Sequence, residues 1–178
     1  MYISEIKTTA PTEFKSELHK RVYTKLQELE IPFERVETDE IITMEDCEAV
    51  DGKLQMKMVK TLFLCNRKKT EFYLFVTCGD KPFSSKDFSN ALGISRVSFA
   101  PAELMLEILG TKIGAATVFS MLLDSAKDVR LIIDRDVLNE EYYGCSDSQT
   151  TEYMKIKTND IFEKLLPSIN KKFDTVEV

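Results

Sequence analysis

KMVKTLFLCNRKKTEFYLFVTC, residues 57–78, decides the fold. Two runs rich in Phe, Leu, Val and Tyr flank the polar turn NRKKT, the pattern of a β-hairpin. A hairpin pairs its strands antiparallel, so the sheet that holds it cannot be purely parallel. Outward from this hairpin, helical and extended patterns alternate. The expected architecture is therefore α/β, a mixed and mainly antiparallel sheet surrounded by helices.

Upstream, Phe14, Leu18, Val22, Leu26 and Leu29 recur at spacings of three and four and predict one long helix. Thr9 or Thr12 can cap it near Glu13, and Pro11 is tolerated at such a start. His19 falls beside the apolar face, toward the polar side, and reads as a solvated or cap-side residue. Pro32 stops the helix, and IPFERVE (31–37) reads as a short strand. TMEDCEAVD (43–51) predicts a short helix with Thr43 as N-cap and Gly52 as its end.

Downstream, KPFSSKDFSNALG (81–93) predicts a helix capped by Ser84 or Ser85 and closed by Gly93. VSFA (97–100) is extended. PAELMLEILG (101–110) places Pro101 near a helix start and Gly110 just past its end. TKIGAATVFSMLL (111–123) begins as a loop and turns apolar and extended. VRLIIDRDVL (129–138) is a buried strand running into a turn. Tyr142–Ile161 reads as strand, loop and strand before a last helix capped by Asn159. The tail KKFDTVEV (171–178) is expected to fray.

The 178 residues suit one domain, taken as 1–178, and 43% apolar with 30% charged residues is an ordinary globular composition. No apolar run approaches the roughly 20 residues that span a bilayer. No signal-peptide pattern opens the chain, so a cytoplasmic protein without membrane contact is expected. The formal net charge of −6 argues against broad grip on a polyphosphate such as DNA, and leaves room for a local basic patch. Lys53, Lys57 and Lys60 cluster, as do Arg67, Lys68 and Lys69; the latter trio reads as solvated turn. Cys47, Cys65, Cys78 and Cys145 form no CxxC pair, and the chain has one histidine, so no Cys/His zinc centre is expected. Cys65 and Cys78 read as core, and Cys145 as a loop thiol that can be exposed.

Three stretches, in order, carry a resemblance: MVKTLFLC (58–65), ILGTKIGAATVFSMLLD (108–124) and YYGCSDSQTTEYMKIKTNDI (142–161). They resemble the YbaK/EbsC and prolyl-tRNA-synthetase-associated editing domains, most closely the freestanding branch called PrdX or ProXp-ala. The likeness runs from about Val22 to Ile169. It implies a curved, mainly antiparallel sheet that forms a cleft. It also implies hydrolysis of mischarged tRNA, in this branch alanine on proline-specific tRNA, without metal or other cofactor. The implied partners are the acceptor end of that tRNA and prolyl-tRNA synthetase. A binding or regulatory protein that has lost turnover, and a deacylase for another small aminoacyl group, remain as alternatives.

Residue by residue, the family's strand lysine falls on Lys60, and the asparagine common after it is here Thr61. The Gly-x-x-Pro-Gly loop reads Gly110, Thr111, Lys112, Ile113, Gly114. A His-Pro pair and a later asparagine fall on Ser146, Asp147 and Thr150, so the histidine is missing. Lys60 interrupts an apolar strand, so its ammonium either reaches a cleft or faces solvent at a strand edge. Lys60 and Gly114 are the implied catalytic positions. Thr61, Gly110, Ile113, Ala115, Ser146, Asp147 and Thr150 are the implied substrate contacts. Gly110 also reads as a plain helix cap. Ala115, Ala116 and Thr117 would keep a pocket small enough for alanine. Asp147 can hold water or act as a base, or simply cap a turn. Cys145 lacks a histidine to activate it.

Overall fold

The computed structural model describes residues 1–41 and 45–178; the expected cap at Thr43 lies outside them. The first helix, α1 (Glu17–Glu28), starts later than the apolar spacing suggests. The side chain that reaches an orphan helix N–H belongs to Ser16, whose Oγ accepts from the His19 N–H at 3.0 Å. Phe14 therefore precedes the helix, while Leu18, Val22 and Leu26 are buried by it.

Strand β1 (Glu34–Glu37) follows, then α2 (Glu48–Leu54). Gly52 lies inside α2 rather than ending it; the left-handed residue that closes the helix is Gln55. The hairpin is present as β2 (Val59–Cys65) and β3 (Phe72–Cys78), paired Val59 to Cys78 through Cys65 to Phe72. Helix α3 (Ser85–Leu92) is capped by Ser84 and closed by Gly93 in the left-handed conformation, as its sequence implies. After β4 (Ser98–Phe99), helix α4 begins over Ala102–Leu104 and continues as a π-turn over Met105–Leu109, with Gly110 left-handed behind it.

Val118–Leu122 forms a 3-10 turn instead of an extended segment, because Thr117 caps it by accepting from the Phe119 N–H. Strand β5 (Arg130–Asp134) leads into α5 (Arg135–Leu138), and β6 (Tyr142–Ser146) with β7 (Glu152–Lys157) forms a second hairpin. The last helix, α6, runs as a π-turn over Asp160–Leu165 and then over Leu166–Ser168; Asn159 precedes it without a side-chain cap bond. The tail does not fray: Phe173–Val176 forms β8, parallel to β5, with Val176 buried.

The strands divide into a five-stranded sheet, β4-β2-β3-β5-β8, and an antiparallel three-stranded sheet, β1-β7-β6. In the larger sheet both faces are buried. Phe63, Leu74, Val76, Leu131 and Ile133 face α1 and its neighbours, while Leu64, Tyr73, Phe75 and Ile132 pack around Phe88 of α3. That two-sided burial explains the near-continuous apolar runs, each buried side chain contributing up to roughly 1.5–3 kcal/mol. The smaller sheet is covered by α2 through Val36, Val50, Leu54 and Tyr153.

The sheets meet at a parallel bridge between Met58 and Gly144. A Cβ on Gly144 would stand 2.7 Å from Met56 Sδ and 3.0 Å from the Lys57 carbonyl oxygen. Only glycine admits so close an approach, which sets the gap between the sheets.

Candidate functional site

A cavity of about 290 Å³ opens between the two sheets. Beyond the short β2–β4 pairing at Leu64–Cys65, Met58 and residues 59–63 of β2 form one wall. The loop after α4 gives Ile113, Gly114 and Ala116. The β6–β7 hairpin gives Cys145, Ser146 and Tyr153, and Phe99 and Met105 stand at the rim. Of the nine positions implied as catalytic or substrate contacts, five line one hollow: Lys60, Thr61, Ile113, Gly114 and Ser146. Gly110 does not; it is the left-handed end of α4, packed on Leu123 and Leu18. Ala115 is buried behind the wall, and its carbonyl accepts from Ser146 Oγ at 3.3 Å. Asp147 is fully buried, and Thr150 bonds Glu40 at 3.3 Å; neither lines the cavity.

Lys60 is half-buried and donates from Nζ to the Lys81 carbonyl. Burial holds its ammonium below the ordinary lysine value, with the Asp80 charge acting the other way. Lys81 is fixed in turn: its Nζ lies 2.8 Å from Asp134 Oδ2 and 2.7 Å from Asp136 Oδ2. Asp134 Oδ2 also accepts from Thr77 Oγ1 at 2.7 Å, and Thr77 is the residue opposite Lys60 on β3. Gly114 is exposed with φ +90°, a left-handed conformation that turns the loop at the cavity mouth. A second cavity, of about 330 Å³, shares Met58 and Val59 with the first. Its wall carries Glu45, Glu48, Asp51, Asp80 and Glu140, so a polyanion is repelled from that side.

Two readings of the sequence are corrected here. Cys145 is on β6 and 2% exposed, and burial pushes its thiol well above the ordinary cysteine value, which makes it a poor nucleophile. His19 is not solvated: it is fully buried, although it does stand on the cap side, in the first turn of α1 with its Nδ1 accepting the Lys15 N–H. Its Nε2 lies 3.0 Å from Asp147 Oδ2 and 2.9 Å from Glu152 Oε2. Asp147 Oδ2 also accepts from Tyr23 OH, and Arg35 Nη1 stands 3.7 Å from Glu152 Oε1. A signal was present in the sequence. His19, Val22, Tyr23 and Leu26 are spaced i, i+3, i+4, i+7, and setting the helix phase from Phe14 obscured it.

Among the described residues, His19, Asp147 and Glu152 are the one group with metal-ligand donors in mutual reach. Their geometry fits hydrogen bonds instead. A ligating imidazole donates from its second nitrogen, whereas His19 Nδ1 accepts the Lys15 N–H at 3.0 Å. The ring proton is thus on Nε2, aimed at the carboxylates. Burial opposes further charge on the ring, but the bonds and charges of Asp147 and Glu152 prevail and raise His19 to about 9. Burial raises the Asp147 carboxyl as well, against the pull of its His19 bond. A second ring proton would have to displace the Lys15 N–H from Nδ1, and His19 and Asp147 titrate as a coupled pair.

Residues 38–164 match the family model described as "Aminoacyl-tRNA editing domain". The chain is 26% identical over 157 residues to the prolyl-tRNA editing protein ProX of Acetoanaerobium sticklandii, covering 88% of this chain and 95% of that protein. It is 31% identical over 121 residues to prolyl-tRNA synthetase associated domain-containing protein 1 of Mus musculus, covering 67% and 71%. A crystal structure described as a candidate trans-editing enzyme for prolyl tRNA synthetase superposes with a TM-score of 0.64 at 18% identity, covering 92% of this chain and 98% of the other.

Proposed function

The chain belongs to the aminoacyl-tRNA editing domain family, and from that premise we propose that it is a trans-editing deacylase that hydrolyses the ester of mischarged tRNA, with Ala-tRNA(Pro) as substrate. The observation that carries the reading is the sharing of one cavity by Lys60 and Gly114. Hydrolysis needs a positioned water and stabilisation of the oxyanion that forms when water adds to the ester carbonyl. Lys60 meets the terminal phosphate or the carbonyl oxygen, leaving the Lys81 carbonyl as it does so. The backbone of the Gly114 turn approaches the developing oxyanion, since no Cβ stands in the way. Collapse of the tetrahedral species breaks the bond to the ribose oxygen, which takes up the proton that water gives up. The vicinal ribose hydroxyl of the substrate relays that proton, so the protein acts by orientation and charge.

Ser146 occupies the place where the resemblance puts a histidine, and it cannot act as a general base at neutral pH. Ala116 and Ile113 bound the aminoacyl end, and size exclusion favours alanine over larger groups. The acceptor end enters from the side away from the acidic second cavity. Prolyl-tRNA synthetase is the partner whose error such an enzyme would clear.

A second reading has its own support. The absent imidazole and the Lys60 contact to the Lys81 carbonyl fit a protein that binds aminoacyl-tRNA without turnover, or one that acts on another small aminoacyl group. Incubation with a panel of labelled aminoacyl-tRNAs separates these outcomes. Ester loss confined to the alanine species supports the deacylase. Loss from a different species moves the specificity, and binding without ester loss contradicts the enzyme.

A further inference from the structure

The end of the β6–β7 hairpin has two different faces. Ser146 and Tyr153 are opposite each other in register, and both line the cavity. Their chain neighbours Asp147 and Glu152 point the other way, into the buried group around His19. The strand alternation that separates the faces also couples them: whatever moves the two carboxylates moves the cavity wall. Ser146 extends the coupling further. Its Oγ accepts from the Ser148 N–H at 3.0 Å and meets the Ala115 carbonyl at 3.3 Å, one residue beyond Gly114.

We propose that His19 is a positioning residue for the cavity, a clamp delivered from α1 that holds Asp147 and Glu152 together and thereby fixes Ser146, Tyr153 and the Gly114 loop. Without a donor between them, two buried carboxylates repel and the hairpin end opens. One further sign marks Glu152: its Oε2 is buried and makes no hydrogen bond besides the ion contact with His19. The charged and titratable groups facing the clamp come from every element around it. Tyr23 lies on α1, and Arg35 on β1 stands close to Glu152 and is itself paired with Glu37 at 3.0 Å. Lys15 ahead of α1 reaches to 3.8 Å of Glu152. With Arg35 cationic and both carboxylates present, the group balances when it holds one proton beyond the Nε2–H. The clamp is therefore coupled to pH, and it loosens when that proton leaves.

The activity arm of the test rests on the deacylase reading; the other arm does not. His19 is the sole histidine of the chain, so its ring resonances are unambiguous in labelled protein. On raising the pH, the ring signal and the Ser146 and Tyr153 amide signals follow one titration curve. Ser146 and Tyr153 signals that stay fixed while His19 titrates overturn the clamp. In kinetics, His19→Leu lowers kcat about tenfold or more with KM within about threefold. His19→Gln, whose amide can donate to both carboxylates, recovers most of kcat and loses the alkaline limb of the pH profile. Folded His19→Leu protein with wild-type kcat and pH profile overturns the proposal. Should His19→Leu not fold, a His19→Gln profile that keeps the alkaline limb does so. Absence of turnover in the wild type overturns the deacylase reading alone, and the resonance arm then decides the clamp.

Discussion

The two walls of the cavity are held by different physics. On the Lys60 side the supporting network runs from core to solvent: Asp134 is 1% exposed, the Lys81 side chain 28% and Asp136 56%, and Lys60 itself rests on one carbonyl. On the Ser146 side the supporting group is sealed, with His19 and Asp147 at 0% and Glu152 at 4%. Water and salt screen the outer, Lys81–Asp136 part of the first network and barely reach the second. The lysine proposed to leave its acceptor for a substrate stands on the wall that solvent reaches. The surface proposed to set the shape of the cavity stands on the sealed one.

That contrast can be broken by mutation, and the largest effect belongs to the sealed wall. His19→Leu strands two buried carboxylates and is expected to cost about 3–5 kcal/mol of stability in denaturant unfolding. A loss below about 1 kcal/mol would mean that the group is wetter than its burial implies. Next comes the joint between the walls. Gly144→Ala forces Met56 and the Lys57 carbonyl aside and is expected to cost about 1–3 kcal/mol.

The pH response sharpens the comparison. The folded His19 group titrates at about 9, above the ordinary 6.5. The folded state thus holds more protons than the unfolded chain between those values. The stabilisation is complete below about pH 6.5 and is lost as pH rises through about 9, at no more than roughly 1.4 kcal/mol per pH unit. Thermal midpoints are expected to fall from about pH 7 to about pH 10, and His19→Gln flattens that slope. Smallest is the change at an exposed pair on the far edge of the large sheet. Arg130→Ala removes a 2.9 Å contact with Asp174 and is expected to shift stability by less than about 1 kcal/mol.

What could be read from the sequence follows the same division. The β2–β3 hairpin, α3 and the end of α4 were legible because their signals are local: apolar runs, a serine cap, a left-handed glycine. Lys60 and Gly114 were legible as a pair through the resemblance, and the fold brings both to one cavity. His19 was not, because its meaning lies in partners about 130 residues away that no local pattern reveals. The tail was misjudged for a related reason. KKFDTVEV is polar enough to look frayed, and it is ordered by backbone pairing with β5 that the composition does not announce. Cys145 looked exposed because its neighbours are polar, yet those neighbours are themselves buried and bonded. The late start of α1 turned on which of several hydroxyl side chains caps, a choice that geometry makes and composition does not.

The central claim is that ester hydrolysis takes place where Lys60 and the Gly114 loop meet. Single-turnover decay of Ala-tRNA(Pro), followed with wild-type protein and with Lys60→Ala, tests it most directly. The account predicts rapid deacylation by the wild type and a rate lower by on the order of 100-fold in the variant, with folding intact. Equal rates in the two proteins, or no acceleration over the uncatalysed ester by either, would contradict it.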